Sequence, residues 1–132
     1  MKIHRVGQTP SSWAPATEFS GTVRRDALIT SEPPGRVTTG QVTFEPNART
    51  AWHTHPAGQI LIVTAGRGWV QCEGERRQEV TPGDAVWFPA GVKHWHGATA
   101  TTAMTHIAVT EVVDGSPVTW MEQVTNEQYQ AG

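Results

Sequence analysis

In AWHTHPAGQILIVTAG, residues 51–66, two histidines stand one residue apart, followed by a proline, a glycine and a glutamine in an otherwise apolar, β-rich run. Alternate residues of a strand point to one face, so His53 and His55 project together, with Trp52 and Thr54 opposite. Gln59 shares their parity, but extended chain would leave it ~13 Å from His55. The three side chains meet only if Pro56-Ala57-Gly58 folds the chain back, which proline and glycine permit. Downstream, GDAVWFPAGVKHWH (residues 83–96) places His94 and His96 on one face and Trp95 on the other. In TTAMTHIAVTEV, His106 shares a strand face with Met104, Ala108 and Thr110. An isolated H-x-H is commonly an exposed strand face. Five histidines on three strands at matching parity point instead to a metal site. His4, beside Lys2 and Arg5, reads as a surface residue.

The elements that must carry these side chains are short strands cut by turn residues, the pattern of an all-β sandwich or barrel. Strands are expected at Gly21–Ile29, Arg36–Glu45, Thr50–His55, Gln59–Ala65, Gly68–Glu73, Arg77–Val80, Ala85–Pro89, His94–Ala98 and Thr102–Val113. Breaks such as Glu32-Pro33-Pro34-Gly35, Glu45-Pro46-Asn47, Thr81-Pro82-Gly83-Asp84 and Pro89-Ala90-Gly91 separate them. Helix is confined to the tail, where Thr125 and Gln128 have capping-box spacing and Asn126 onward forms one short turn.

The 132 residues suit one domain with a core built without disulfides, in keeping with the single cysteine, Cys72. Cys72 reads as an ordinary strand residue, and a cytoplasmic location follows as the expectation. MKIHRVGQTP lacks the apolar run of a signal peptide, and no segment has membrane-spanning length. With a net charge of −2, and no basic cluster beyond Arg24–Arg25 and Arg76–Arg77, neither nucleic acid nor membrane is an expected partner. Both arginine pairs read as solvated turns or strand ends. Four tryptophans, Trp52, Trp69, Trp87 and Trp95, fall beside the histidines in sequence.

These stretches resemble the two cupin motifs. His53, His55, Gln59 and Gly66 follow the spacing of the first; Gly83, Pro89-Ala90-Gly91 and His94 follow the second. The resemblance implies a cupin barrel (double-stranded β-helix, or jelly roll) over residues 1–132, its core about 36–113, with a short C-terminal helical turn. Within the cupins, VTFEPNARTAWHTHPAGQILIVTAG, PGDAVWFPAGVKHWHG and TTAMTHIAV are most similar to the small bacterial manganese-dependent hydroxynitrile lyases. That similarity runs from about Val6 to Tyr129. It implies His53, His55, Gln59 and His94 as metal ligands, with His96 and His106 in proton transfer. Three departures from the general cupin pattern stand out: Gln59 replaces a glutamate, Asn47 a glycine, and Ala98 the closing asparagine. Asn47 keeps left-handed turn geometry accessible.

Gln59 changes the expected chemistry. Three neutral imidazoles and an amide leave a divalent ion its full charge, which favours Lewis-acid work and disfavours a ferric state. Manganese is implied by the family; iron, zinc, nickel and cobalt also suit the donor set. The resulting expectation is an (R)-hydroxynitrile lyase acting on mandelonitrile-like cyanohydrins, or on an aldehyde plus cyanide in reverse. His96 and His106 either orient ligands or transfer protons near neutral pH. Val42, Phe44, Ile60, Leu61 and Trp87 are candidate walls for an aryl or alkyl group. A cupin dioxygenase and a non-catalytic metal- or ligand-binding cupin are the alternatives. A homodimer or homotetramer is expected by family analogy.

Overall fold

The computed structural model describes residues 1–132. In chain order the strands are β1 (Ser12–Trp13), β2 (Phe19–Ser20), β3 (Val23–Thr30), β4 (Val37–Phe44), β5 (Arg49–Thr50), β6 (His53–Thr54) and β7 (Gln59–Gly66). They continue as β8 (Gly68–Cys72), β9 (Gln78–Val80), β10 (Ala85–Phe88), β11 (His94–Ala98), β12 (Met104–Glu111) and β13 (Thr119–Trp120), before helix α1 (Asn126–Gln130). One sheet has the order β1-β3-β4-β12-β7-β10. The other runs β13-β6-β11-β5-β2, with β8 joined to β11 and β9 joined to β8.

Side-chain alternation closes these sheets around one interior. In β7, Gln59, Leu61 and Val63 are buried while Ile60 and Ile62 face out. Leu61 and Val63 join Phe19, Phe44, Phe88 and Met104 in the core. Burying such a side chain contributes roughly 1.5–3 kcal/mol. Gly66 ends β7 with φ +74, and a Cβ there would overlap the carbonyl of Ala103, so the β7–β8 corner requires glycine. Asn47 turns at φ 73 without a glycine, as expected of its side chain.

Strand β11 is buried along its whole length because both its faces are covered. Its odd face looks to a second cluster of Trp52, Trp95, Val124 and Tyr129, closed by the tail. The tail is held by the expected capping box: the Gln128 amide donates to Thr125 Oγ1 at 3.1 Å, and the Thr125 amide donates to Gln128 Oε1 at 2.9 Å. Arg49 adds bonds to the Val124 carbonyl and Asn126 Oδ1 and stacks on Tyr129.

Two sequence expectations are corrected here. Thr50–His55 is not one strand: Ala51 and Trp52 leave the ladder, their amides donating to the Glu18 and Glu122 carbonyls. The pieces β1, β2 and β13 are two residues long, too short to show alternation. The arginine pairs are not simply solvated either. Arg77 stacks 3.4 Å from the Trp69 ring and donates to the Tyr129 carbonyl, and Arg25 turns into the cavity described next.

Candidate metal centre

Five histidines, His53, His55, His94, His96 and His106, are buried within the barrel. His53 and His94 face each other across the β6–β11 ladder, their ring centroids 4.2 Å apart. His55 follows β6 and lies 5.0 Å from His53 and 5.3 Å from His94. The turn after His55 returns the chain, so Gln59 opens β7 near His55 rather than far along an extended strand. His94 is further oriented by Phe88, stacked at 3.8 Å.

Hydrogen bonds fix which nitrogen each ring offers. Nδ1–H donates to a backbone carbonyl in all three cases: His53 to Ala51 at 2.9 Å, His55 to Pro117 at 2.7 Å, and His94 to Val92 at 2.9 Å. That tautomer leaves each Nε2 lone pair free. Gln59 is set in the same way. Its Nε2 donates to Thr110 Oγ1, its cross-strand neighbour, at 3.1 Å, which leaves Oε1 as the free end. Nε2 of His55 and His94 and Oε1 of Gln59 are buried without any hydrogen-bond partner. Buried polar atoms are almost always satisfied, and acceptors left bare together are a donor set that could hold a cation.

Burial holds these rings neutral. Desolvation pushes His53 well below the usual imidazole value, aided by repulsion from His94, and lowers His55 against the pull of the Pro117 carbonyl. His94 is brought down to about 4 by the same desolvation. Neutral imidazole is the form that binds metal.

The other two histidines form a pair. Nε2 of His106 and Nδ1 of His96 are 3.0 Å apart, and the outer nitrogens, His96 Nε2 and His106 Nδ1, have no partner. Desolvation places His106 at about 3 and His96 well below its ordinary value, with repulsion from His106 the next cause. His96 is also close enough to join the cluster: donor atoms of His53, His94 and His96 lie within 4.8 Å of one another.

His53, His55, His96 and His106 border a cavity of about 180 Å³. A dry cavity of about 150 Å³ accepts a benzene, so the space suits one aromatic ring and a small substituent. Of the wall candidates, Val42 lines the cavity, but Ile60 and Trp87 are exposed and Leu61 and Phe44 belong to the core. The outward parity of Ile60 in β7 and of Trp87 opposite it explains that difference. Phe19, Ala108, Val118 and Trp120 supply the remaining apolar wall. Trp120, 4.7 Å from His53, is the tryptophan that packs on the site. Its two-residue strand gave no pattern by which to place it. His4 lies apart, bonded to Thr9.

Comparison with known proteins agrees with this architecture. Residues 40–110 match the family model described as cupin domain. An (R)-mandelonitrile lyase from Granulicella tundricola is 60% identical over 129 residues, 98% of each chain. The crystal structure of a cupin-like protein from Thermotoga maritima is 40% identical, covering 90% of each chain with a TM-score of 0.85. A polyketide cyclase from Streptomyces resistomycificus shares the fold at 20% identity, with a TM-score of 0.72 over 98% of this chain and 90% of its own. From its two histidine motifs to its two curled sheets, the chain belongs to the cupin family.

Proposed function

We propose that this protein is a metal-dependent (R)-hydroxynitrile lyase that cleaves mandelonitrile-like cyanohydrins and forms them in reverse. The observation that carries the reading is the group of bare, buried acceptor atoms beside a hydrogen-bonded histidine pair, on a cavity of ring size. The name of the 60%-identical relative supports the substrate class. His53, His55 and His94 through Nε2, and Gln59 through Oε1, fit a divalent cation, manganese in this reading. When bound, it supplies Lewis-acid charge beside the substrate oxygen.

The protein's own groups account for the proton. With Nδ1–H donated to His106, His96 presents a bare Nε2 to take the cyanohydrin hydroxyl proton. As the carbonyl forms, the carbon–carbon bond breaks and its electron pair leaves with cyanide. The same His96 Nε2–H then protonates the cyanide, giving hydrogen cyanide and restoring the neutral ring. His106 acts through His96, fixing its tautomer and orientation. Val42, Ala108, Val118 and Trp120 receive the aryl group and exclude water.

A second ligand set has support of its own, since His53, His94 and His96 donor atoms lie within 4.8 Å of one another. In that arrangement His96 binds the ion, and His96→Ala loses it. The first set predicts retention.

We read residues 1–132 as a single cupin domain. The exposed strip of Ile60, Ile62 and Trp87 on β7 and β10 supports assembly into a dimer or tetramer. No helix is long and apolar enough to cross a membrane. A cytoplasmic site of action fits the free Cys72, whose thiol pKa is raised by burial. The functional test is benzaldehyde release from mandelonitrile by protein loaded with manganese, iron or zinc. Release abolished by chelator is expected; no release above the buffer rate with any metal rejects the lyase reading.

A further inference from the structure

One permanently charged side chain lines the cavity, and it is Arg25. No aspartate or glutamate lines it. Arg25 lies in β3 between Ser12 of β1 and Val42 of β4, and shares the inward face of the core residue Val23. Its neighbour Arg24 points to the other face and pairs with Asp26 at 3.3 Å. Arg25 itself has no carboxylate partner, and the Phe19 ring lies 6.0 Å from its guanidinium.

A strand position facing the interior normally takes an apolar residue. Arg25 is half-buried here and none of its guanidinium nitrogens is shut away from solvent, so the group stays free to meet a molecule that enters the cavity. The planar fork is suited to a carboxylate, which it grips with two parallel hydrogen bonds. We infer that Arg25 recognises a carboxylate on the substrate, so that the preferred substrates are cyanohydrins and aldehydes bearing an acid group remote from the reacting carbon. The chemistry at the reacting carbon rests on the lyase reading above; the recognition of the anion rests on the cavity itself.

The test compares 4-carboxymandelonitrile with its neutral 4-carbamoyl analogue, using metal-loaded protein. Wild type is expected to favour the acid in kcat/KM by roughly 10- to 100-fold, the range of a hydrogen bond to a charged group. Arg25→Met should bring that ratio close to one, and Arg25→Lys should restore part of it. A wild-type ratio near one, or a ratio that survives in Arg25→Met, overturns the inference. Calorimetry with 4-formylbenzoate and 4-formylbenzamide reads binding without turnover. Should Arg25→Met fail to fold, Arg25→Gln takes its place in both measurements. Acid binding that persists without Arg25 means that another group, such as the ion, holds the carboxylate, and also overturns it. Arg25-dependent binding with no cleavage of any cyanohydrin leaves this inference standing and rejects the lyase reading. Cleavage without acid preference does the reverse.

Discussion

Strand β11 separates two buried regions that solve the same problem differently. On its odd face, Trp95 Nε1 donates to Gln71 Oε1 at 2.8 Å and Tyr129 donates to the Ala98 carbonyl at 2.7 Å. Trp52 Nε1 reaches Gln128 Oε1 at 3.3 Å, and Arg49 Nε is the one buried polar atom there left over. On its even face, His94 and His96 join His55 and Gln59 in leaving buried acceptors bare. The indole face is completed by folding but for that one atom. The imidazole face keeps several acceptors that folding leaves unpaired, and bonds on the far side of each ring hold those acceptors free.

Substitutions on the two faces should therefore fail in different ways. Among single substitutions the largest effect is expected from His96→Ala, which in the proposed mechanism removes the proton carrier and should lower mandelonitrile turnover ~10²–10⁴-fold. Metal content measured on the same sample should be unchanged; loss of the ion would favour the ligand set containing His96. On the other face, Trp95→Ala should cost roughly 3–5 kcal/mol of stability by denaturant titration, because a fully buried indole leaves a cavity. Its metal site should still load in whatever fraction remains folded.

A subtler break is Thr110→Val, which keeps shape but removes the acceptor that aims the Gln59 amide. Without it the amide can present its NH₂ end to the site. Metal affinity should fall about 10- to 100-fold, as is usual when a ligand's supporting hydrogen bond is lost.

Acid sharpens the contrast further. In metal-free protein, His94 at about 4 and His106 at about 3 bind protons less readily than unfolded histidine near ~6.5. Below that value the unfolded chain takes up more protons than the folded one. Stability should thus be complete above about pH 6.5 and decline as pH falls toward 4 and then 3. Removing His106 by His106→Phe should flatten part of this decline in denaturant titrations across pH. A slope unchanged from wild type would show that His106 is not one of its sources.

Much of this arrangement was legible in the residues. The β-rich runs Gln59–Ala65 and Thr102–Val113, bounded by turn residues, announced β7 and β12, and the parity of the histidines announced a shared interior. The Thr125–Gln128 box announced α1. What escaped detection depends on partners distant in sequence. Trp120 and Pro117 reach the site through a two-residue strand with no period to read. Arg25 looked like half of a solvated pair because one register decides which arginine faces inward. Ile60 and Trp87 are apolar yet point outward, which composition alone left open when it named them as candidate walls. The role of Thr110 needed the β7–β12 register, which pairs it with Gln59.

The most direct measurement is metal content per chain by elemental analysis, made together with mandelonitrile cleavage, on wild type and on the double substitution of His53 and His55 by alanine. Wild type should carry one divalent ion per chain and lose cleavage when chelator removes it. The double variant should fold, bind no stoichiometric metal and release no benzaldehyde. Full metal occupancy in the double variant, or chelator-insensitive cleavage by wild type, would contradict the account.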